Sequence, residues 1–302
     1  VTAATQEAAH EAARARARAA TRDAPDATRA TTRDAQAFHA LADQIARERG
    51  LAVRSYKQGC LERRIAARMR ARGAPDYAAY ARVLRTDPSE YDKLLDALTI
   101  NVTHLFRDAD VWDAVATRVL PELWAMRASV LHTWVAGCAS GEEAYTVAAL
   151  WHRFLDGRGE LHRVGRLRIT ATDLDPDAIA IASAGRYPRE AFRQTPVDVR
   201  RRYFSPAEPH VAAPELRRLI TFARGDLLTT APPDASVHLL TCRNVLIYFD
   251  KPSQEAVFRR FHAALAPGGY LVVGKAEAVL GASRLLFDAV DHQVRLFRRP
   301  AS

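Results

Sequence analysis

A chain of 302 residues, 48% hydrophobic and 26% charged, has the composition of a soluble globular protein of about two domains, with ample material for a core. No apolar run approaches the roughly 20 residues of a membrane span, and the Ala/Arg-rich start lacks the apolar stretch of a signal peptide, so a cytoplasmic protein without membrane insertion is expected. A net charge of +9 and a pI near 9.8 favour an acidic partner, and the three scattered cysteines, Cys60, Cys138 and Cys242, form neither a disulfide framework nor a metal-ligand spacing.

Residues 1 to 35 carry almost no large apolar side chains and cannot offset their ordering entropy, so they are predicted to be a disordered or weakly helical extension. Phe38, Leu41 and Ile45 then recur at spacings of three and four, the mark of an amphipathic helix. A second helix carries Leu61, Ile65 and Met69 and is stopped by Gly73 and Pro75; Asp76 caps a third through Tyr77, Tyr80 and Leu84; Pro88 opens a fourth through Tyr91, Leu94, Leu95 and Leu98. A helical domain is predicted over residues 36 to 107.

From residue 108 onward the texture changes. After a helix bearing Trp112, Val115, Val119 and Leu123, residues Val130 to Ala136 read as a buried strand, Gly137 to Gly141 as a turn and Glu142 to Leu155 as a helix. Leu167 to Thr172 form a second strand ending at Asp173, and Asp175-Pro176 opens another helix. Val237 to Thr241, a helix from Ser253 to Leu265, and Tyr270 to Gly274 continue an alternation that predicts a parallel sheet covered on both faces, over residues 108 to 302. Between Gly185 and Gly225 the rhythm breaks into a Pro/Arg-rich stretch whose only clear strand is Leu219 to Ala223; an inserted antiparallel subdomain is predicted over about residues 186 to 224.

Three distant segments put polar groups at the ends of apolar strands or helices, where an α/β sheet gathers a ligand: Asn101 to Arg107, Gly137 to Tyr145 and Leu240 to Phe249. The turn Gly137-Cys-Ala-Ser-Gly141 is neither the Gly-x-Gly-x-x-Gly of a dinucleotide site nor a P-loop. Beside it stand Glu142 and Glu143, which would repel a pyrophosphate but can hold a cationic amine, while Asp173 at the end of the second strand can accept both hydroxyls of a ribose. S-adenosylmethionine has both parts. Taken singly, the two glutamates could be acids at a helix N-terminus, Asp173 a cap and Asn244 a turn former; their conjunction at successive strand ends favours a nucleoside site.

These segments resemble the CheR-type chemotaxis receptor glutamate O-methyltransferases over nearly all of residues 36 to 298, through Asn-x-Thr-x-x-Phe-Arg at 101 to 107, Gly-x-x-x-Gly-Glu-Glu-x-Tyr at 137 to 145, the strand-ending Asp173, and Cys-Arg-Asn-Val-Leu-Ile-Tyr-Phe at 242 to 249. The resemblance implies an α/β fold: a class I S-adenosylmethionine-dependent, Rossmann-like methyltransferase domain with an N-terminal all-helical domain and a small inserted antiparallel β-subdomain. It implies methyl transfer to receptor glutamates with S-adenosylhomocysteine as product and no metal. Asn101, Thr103, Arg107, Gly137, Glu143, Asp173, Asp226, Leu227, Asn244 and Val245 would line the cofactor, and Arg107 with Tyr248 would stand nearest the reacting carboxylate. Departures from the family pattern are Leu105-Phe106 before the arginine, Ala144 after the glutamate pair, Lys275 after the late strand glycine, and Asp226 where Asn is common.

The second helix is strongly basic, with Arg63 and Arg70 opposite its apolar stripe and Arg64 and Arg68 flanking it. Such a face can simply be solvated; the resemblance implies docking of these four arginines on the acidic, helical cytoplasmic region of methyl-accepting receptors. In the family it resembles, members that tether to a receptor's C-terminal peptide tend to carry a glycine-containing loop in the insertion; Tyr203 to Leu216 has no glycine and is short, so the resemblance implies no dependence on such a tether. The expected enzyme is a monomer that does not act on nucleic acid. The alternatives are a nucleic-acid methyltransferase, for which an Asn/Asp-Pro-Pro-Tyr/Phe-like loop would be expected where Arg243-Asn-Val-Leu stands, and a non-catalytic adaptor binding receptor or second messenger on the same fold.

Overall fold

A computed structural model describes residues 34–49, 51–98, 103–126, 128–233 and 236–301. The expected N-terminal extension lies outside them, apart from residues 34 and 35, and so does Asn101. The chain divides into two compact units between Leu98 and Thr99, rather than after Arg107, because Leu105 and Phe106 belong to the second unit's core beside Trp112 and Val115.

The first unit is all helical: α1 (residues 34–49), a single 3-10 turn Val53–Ser55, α2 (Gln58–Ala71), α3 (Tyr77–Thr86) and α4 (Pro88–Leu98). Its core is built from the predicted stripes, with Phe38, Leu41, Ile45, Leu61, Ile65, Tyr80, Leu84, Tyr91, Leu94 and Leu98 all buried. Asp76 caps α3 by accepting from the Ala79 N–H at 2.7 Å, and Pro88 is the first residue of α4.

Two of the four arginines expected to dock on a receptor are engaged inside this unit. Arg68 makes a two-pronged bond to the fully buried carboxylate of Glu90, at 2.9 and 2.7 Å, and Arg64 donates to the carbonyls of Ala97 and Leu98 at the C-terminus of α4. Flanking an apolar stripe brings a long guanidinium within reach of a neighbouring helix, and that is where both groups go. Arg63 and Arg70 are exposed, as expected for the face opposite the stripe.

Burial pushes the Glu90 carboxyl up, but hydrogen bonds from Arg68 and Tyr80 and the charges of Arg68 and Arg72 outweigh it, leaving a value below the ordinary carboxylate range. A carboxyl lowered in the folded state contributes stability that is present above its unfolded pKa and lost as pH falls through its folded one. Melting followed by far-UV circular dichroism from about pH 6 to about pH 3 should show the helical unit weakening with acid, and Glu90→Gln should remove that part of the dependence while lowering stability at neutral pH.

The second unit opens with α5 (Ala109–Ala114), a π-helical turn Val115–Val119 and α6 (Leu120–Ala125), and continues with β1 (Leu131–Ala136), α7 (Glu142–Gly157), β2 (Leu167–Asp173) and α8 (Pro176–Ala184). After the short strands and helices β3 (Arg186–Tyr187), α9 (Val197–Tyr203), β4 (His210–Val211) and α10 (Pro214–Arg217) come β5 (Ile220–Arg224), β6 (Val237–Cys242), α11 (Lys251–Ala264), β7 (Leu265–Val273), β8 (Asp288–Asp291) and β9 (Leu296–Arg298). The main sheet has the order β5-β2-β1-β6-β7-β9-β8; its first five strands are parallel, and β9 and β8 close one edge antiparallel. β1 is buried along its whole length, as a central parallel strand must be.

β3 and β4 form the small separate antiparallel sheet. The strand at Leu219 to Ala223, expected inside the insertion, is instead β5 of the main sheet, paired parallel to β2 from Ile169/Ile220 to Asp173/Arg224. The break in alternation therefore ends before β5. From β1 the chain builds outward through β2 to β5, then returns to the other side of β1 with β6 and β7. That reversal leaves a crevice beyond the carboxyl ends of β1 and β6, where α/β sheets bind ligands.

Candidate active site

Because β5, β2, β1, β6 and β7 are parallel, the residues that follow them share one edge of the sheet. In spatial order these are Asp226 and Leu227, Asp173, Gly137 with Glu143, Asn244 with Val245, and Glu277. The turn after β1 is tied to β2: Gly137 and Cys138 donate to the Thr172 carbonyl at 2.8 and 3.0 Å, and Ala139 donates to the Asp173 carboxylate at 2.7 Å. The other Asp173 oxygen accepts from the Asp175 N–H at 3.0 Å. With one backbone donor on each oxygen, lone pairs remain for further hydroxyls. The turns after β1 and β6 meet closely, since a Cβ on Gly137, which sits at φ 75°, would lie 2.5 Å from a methyl of Val245.

The third segment is brought to this edge by two tethers. Phe106 donates to the Thr146 hydroxyl of α7 at 2.9 Å, and Leu105 and Asp108 donate to Ala191 and Gln194 of the inserted segment. Phe106 and Asp108 both have positive φ, so the chain reverses tightly around the partly buried Arg107. Thr103 is likewise partly buried. Tyr248 ends the 3-10 turn Leu246–Tyr248 and is partly buried. Asp226 uses one carboxylate oxygen to close a turn on the Leu228 N–H at 2.8 Å, and Leu227 is buried.

Two charged residues at this edge had no role in the sequence reading. Arg243, 1% exposed, bonds Glu143 at 3.2 Å, Asp108 at 2.6 Å and the Arg107 carbonyl at 3.0 Å, and lies 4.8 Å above the Trp112 ring. It joins the end of β6, the start of α7 and the Arg107 turn in one contact set. Glu277, 4% exposed, accepts backbone N–H bonds from Gly274, Asn244, Leu246 and Ile247 at 2.5 to 3.3 Å. The available signal was a charge placed shortly after a buried strand, Arg243 next to Cys242 and Glu277 four residues past Val273.

Burial raises the carboxyls of both Asp173 and Glu142, backbone N–H groups opposing it for Asp173 and the Ser140 hydroxyl for Glu142. Their ionised forms are thus undercompensated, which suits a ligand that brings positive charge.

A family model described as CheR methyltransferase, SAM binding domain, matches residues 101–295, and one described as CheR methyltransferase, all-alpha domain, matches residues 36–99. The chain belongs to the CheR methyltransferase family. Similar relatives include the chemotaxis protein methyltransferase of Klebsiella aerogenes, 32% identical over 80% of this chain and 82% of its own length, and that of Listeria innocua, 31% identical over 78% and 87%. A 104.1 kDa protein of Rhodobacter capsulatus, itself uncharacterised, is 40% identical over 74% of this chain, which spans only 24% of that relative's length.

As a CheR-family member the chain is an S-adenosylmethionine-dependent methyltransferase. The residues present fit that group. Carboxyls left undercompensated at Glu142 and Asp173 suit a ligand that carries positive charge, and the open lone pairs of Asp173 suit ribose hydroxyls. Among the described residues no helix is long and apolar enough to cross a membrane, and no cluster of His, Cys, Asp and Glu could hold a metal.

Proposed function

We propose that this CheR-family enzyme methylates the side-chain carboxylate of glutamates in the cytoplasmic helical region of chemoreceptors, giving glutamate methyl esters and S-adenosylhomocysteine, and that it works in the cytoplasm. What supports this reading is that the turn at Arg107 is tied to α7 through Phe106 and to the end of β6 through Arg243, five residues before Tyr248 closes the 3-10 turn. Chemotaxis methyltransferase relatives and a basic α2 support the acceptor class.

When bound, S-adenosylmethionine supplies a methyl carbon made electrophilic by its sulfonium. A glutamate carboxylate is already ionised near neutral pH and needs no strong base, so the protein's task is alignment and exclusion of water. Arg107 pairs with the acceptor carboxylate and fixes its direction; too tight a grip would blunt the nucleophile, so its role is positioning. Tyr248 hydrogen-bonds the same carboxylate. Thr103, Gly137, Asp226, Leu227, Asn244 and Val245 would line the cofactor, with Asp173 on its ribose. Glu143, already paired with Arg243, offers its remaining lone pairs to the amino group.

Incubation with radioactive methyl donor and receptor cytoplasmic fragments should give base-labile label on glutamate. Label on RNA or DNA instead, or cofactor binding with no transfer, would replace this reading by a nucleic-acid enzyme or an adaptor. Tyr248→Phe is expected to lower kcat about tenfold or more with the affinity for S-adenosylhomocysteine unchanged, as single-turnover rates and calorimetry would show.

Arg63 and Arg70 are the exposed arginines proposed to dock on the acidic receptor helices. Charge reversal at both should raise KM for the receptor fragment about tenfold at low salt and leave kcat intact, with the difference shrinking as salt is added. An unchanged KM would remove the docking role. The glycine-free segment between α9 and α10 supports action without a receptor tail tether, and calorimetry with such a peptide should show no tight binding.

A further inference from the structure

We propose that Glu277 is a positioning residue of the methyl-transfer site, its buried carboxylate holding the turn after β6 in the shape that presents Asn244, Val245 and Tyr248. This rests on the reading that those three residues line the reaction site. Glu277 lies beyond β7, outside the turn it holds. One of its oxygens accepts from the N–H of Asn244 at 3.0 Å and of Gly274 at 2.5 Å, and the other from Leu246 at 2.7 Å and Ile247 at 3.3 Å. The carboxylate is the common anchor for a run of backbone N–H groups that neither a strand nor an α-helix satisfies, an arrangement in which successive amides form an anion-binding concavity.

Asn244 shows what this anchor holds. It sits at φ 61°, a left-handed turn conformation that asparagine tolerates, and its N–H is directed onto the Glu277 carboxylate. The 3-10 turn ending at Tyr248 starts two residues later, and its first two N–H groups are those on Glu277. Gly274 is part of the same knot, since a Cβ there would meet the Asn244 nitrogen and the Glu277 carboxylate at 2.7 Å each. Direction at a reacting centre is sensitive: a misplacement of about 1 Å can cost about 100-fold in rate. A carboxylate binding four amides across two segments fixes direction more firmly than side-chain packing around the turn, because charge-assisted bonds are both shorter and stronger than neutral ones.

The test compares Glu277→Gln, Glu277→Asp and a control, Leu155→Ala, buried near the C-terminal end of α7, which weakens the same domain away from the turn. Gln keeps the shape but turns one oxygen into a donor facing donors. It should bind S-adenosylhomocysteine about tenfold more weakly and lower kcat about tenfold or more, with KM for the receptor fragment unchanged. Asp should recover part of both losses, and Leu155→Ala, at an equal loss of stability, should show neither. A folded Gln variant with wild-type affinity and kcat overturns the proposal, as does a control that reproduces its losses. If the Gln variant does not fold, amide exchange in the wild-type protein decides: Leu246 and Ile247 should exchange slowly without cofactor, and exchange at the rate of an open loop overturns the assignment. If wild-type protein binds S-adenosylhomocysteine yet methylates no receptor fragment, the acceptor reading fails while the affinity comparison still decides the role of Glu277.

Discussion

Arg243→Ala is expected to destabilise the methyltransferase unit by about 3 to 5 kcal/mol, the cost of removing one partner from a buried charge set. The guanidinium is 1% exposed and the carboxylates it holds, Glu143 and Asp108, are 15% and 28% exposed, so both lose their counter-charge where water can reach them only in part. The Arg107 carbonyl loses a donor at the same time, and the Trp112 ring loses the cation above it. Against a total of about 5 to 15 kcal/mol for a domain, this loss brings the unit close to unfolding at moderate temperature. All four tryptophans, at 112, 124, 134 and 151, lie in this unit, so intrinsic fluorescence in urea reports its unfolding without a contribution from the helical unit. Arg243→Lys keeps a charge but not the planar fork that spans three acceptors, and should recover only part of the loss. Equal midpoints for wild type and Arg243→Ala would mean that the contact set contributes nothing.

The sequence exposes those parts of this site that depend on period and strand ends. Asp173 and Asn244 were legible because each follows an apolar run, and the helix starts at Asp76, Pro88 and Asp175 because capping chemistry is local. Arg243 and Glu277 were not, because the partners of Arg243 lie 100 or more residues away and all but Gly274 of those of Glu277 about 30, and most of these partners are backbone groups that leave no trace in side-chain pattern. That Arg64 and Arg68 bond inside the helical unit was hidden for a related reason. A flanking position on a helix does not say whether the neighbouring helix carries an acceptor, and Glu90, in the first turn of α4, reads as an ordinary dipole-favoured acid. β5 was placed in the insertion because a Pro/Arg-rich stretch precedes it, although its pairing with β2 is as regular as that of β1.

Gly274→Ala should have the second largest effect. The added methyl would stand 2.7 Å from the Asn244 nitrogen, 2.7 Å from a Glu277 oxygen and 3.0 Å from the Asn244 amide. The first is backbone and the second is held by the N–H groups of Asn244 and Gly274, so the turn after β6 must shift. Overpacking of this kind costs about 1 to 3 kcal/mol, which in a domain of about 200 residues lowers Tm by several degrees at about 2 to 4 °C per kcal/mol. Affinity for S-adenosylhomocysteine should fall about tenfold or more, because the displaced atoms are those that shape the proposed cofactor wall. Gly157→Ala, at the end of α7 where a Cβ meets nothing within 4 Å, is the matched control and should be neutral or slightly stabilising. Comparable Tm and affinity in the two variants would show that the close approach at Gly274 is not a constraint.

The π-helical turn between α5 and α6 can be read as one residue more than an α-helix would use to cover the same rise. The wider turn takes up that residue, so the helix on either side of it keeps its facing. Trp112, before the turn, lies under Arg243, while Trp124, after it, packs on Trp151 with Arg163 and Arg166 over its face. Deleting a single residue within Val115–Val119 would close the turn to regular α-helix and leave both tryptophans facing as they do, whereas a deletion in α11 would turn everything after it by about 100°. In lineages of this chain, gaps of one residue should therefore be commoner here than in α11, although both are helices.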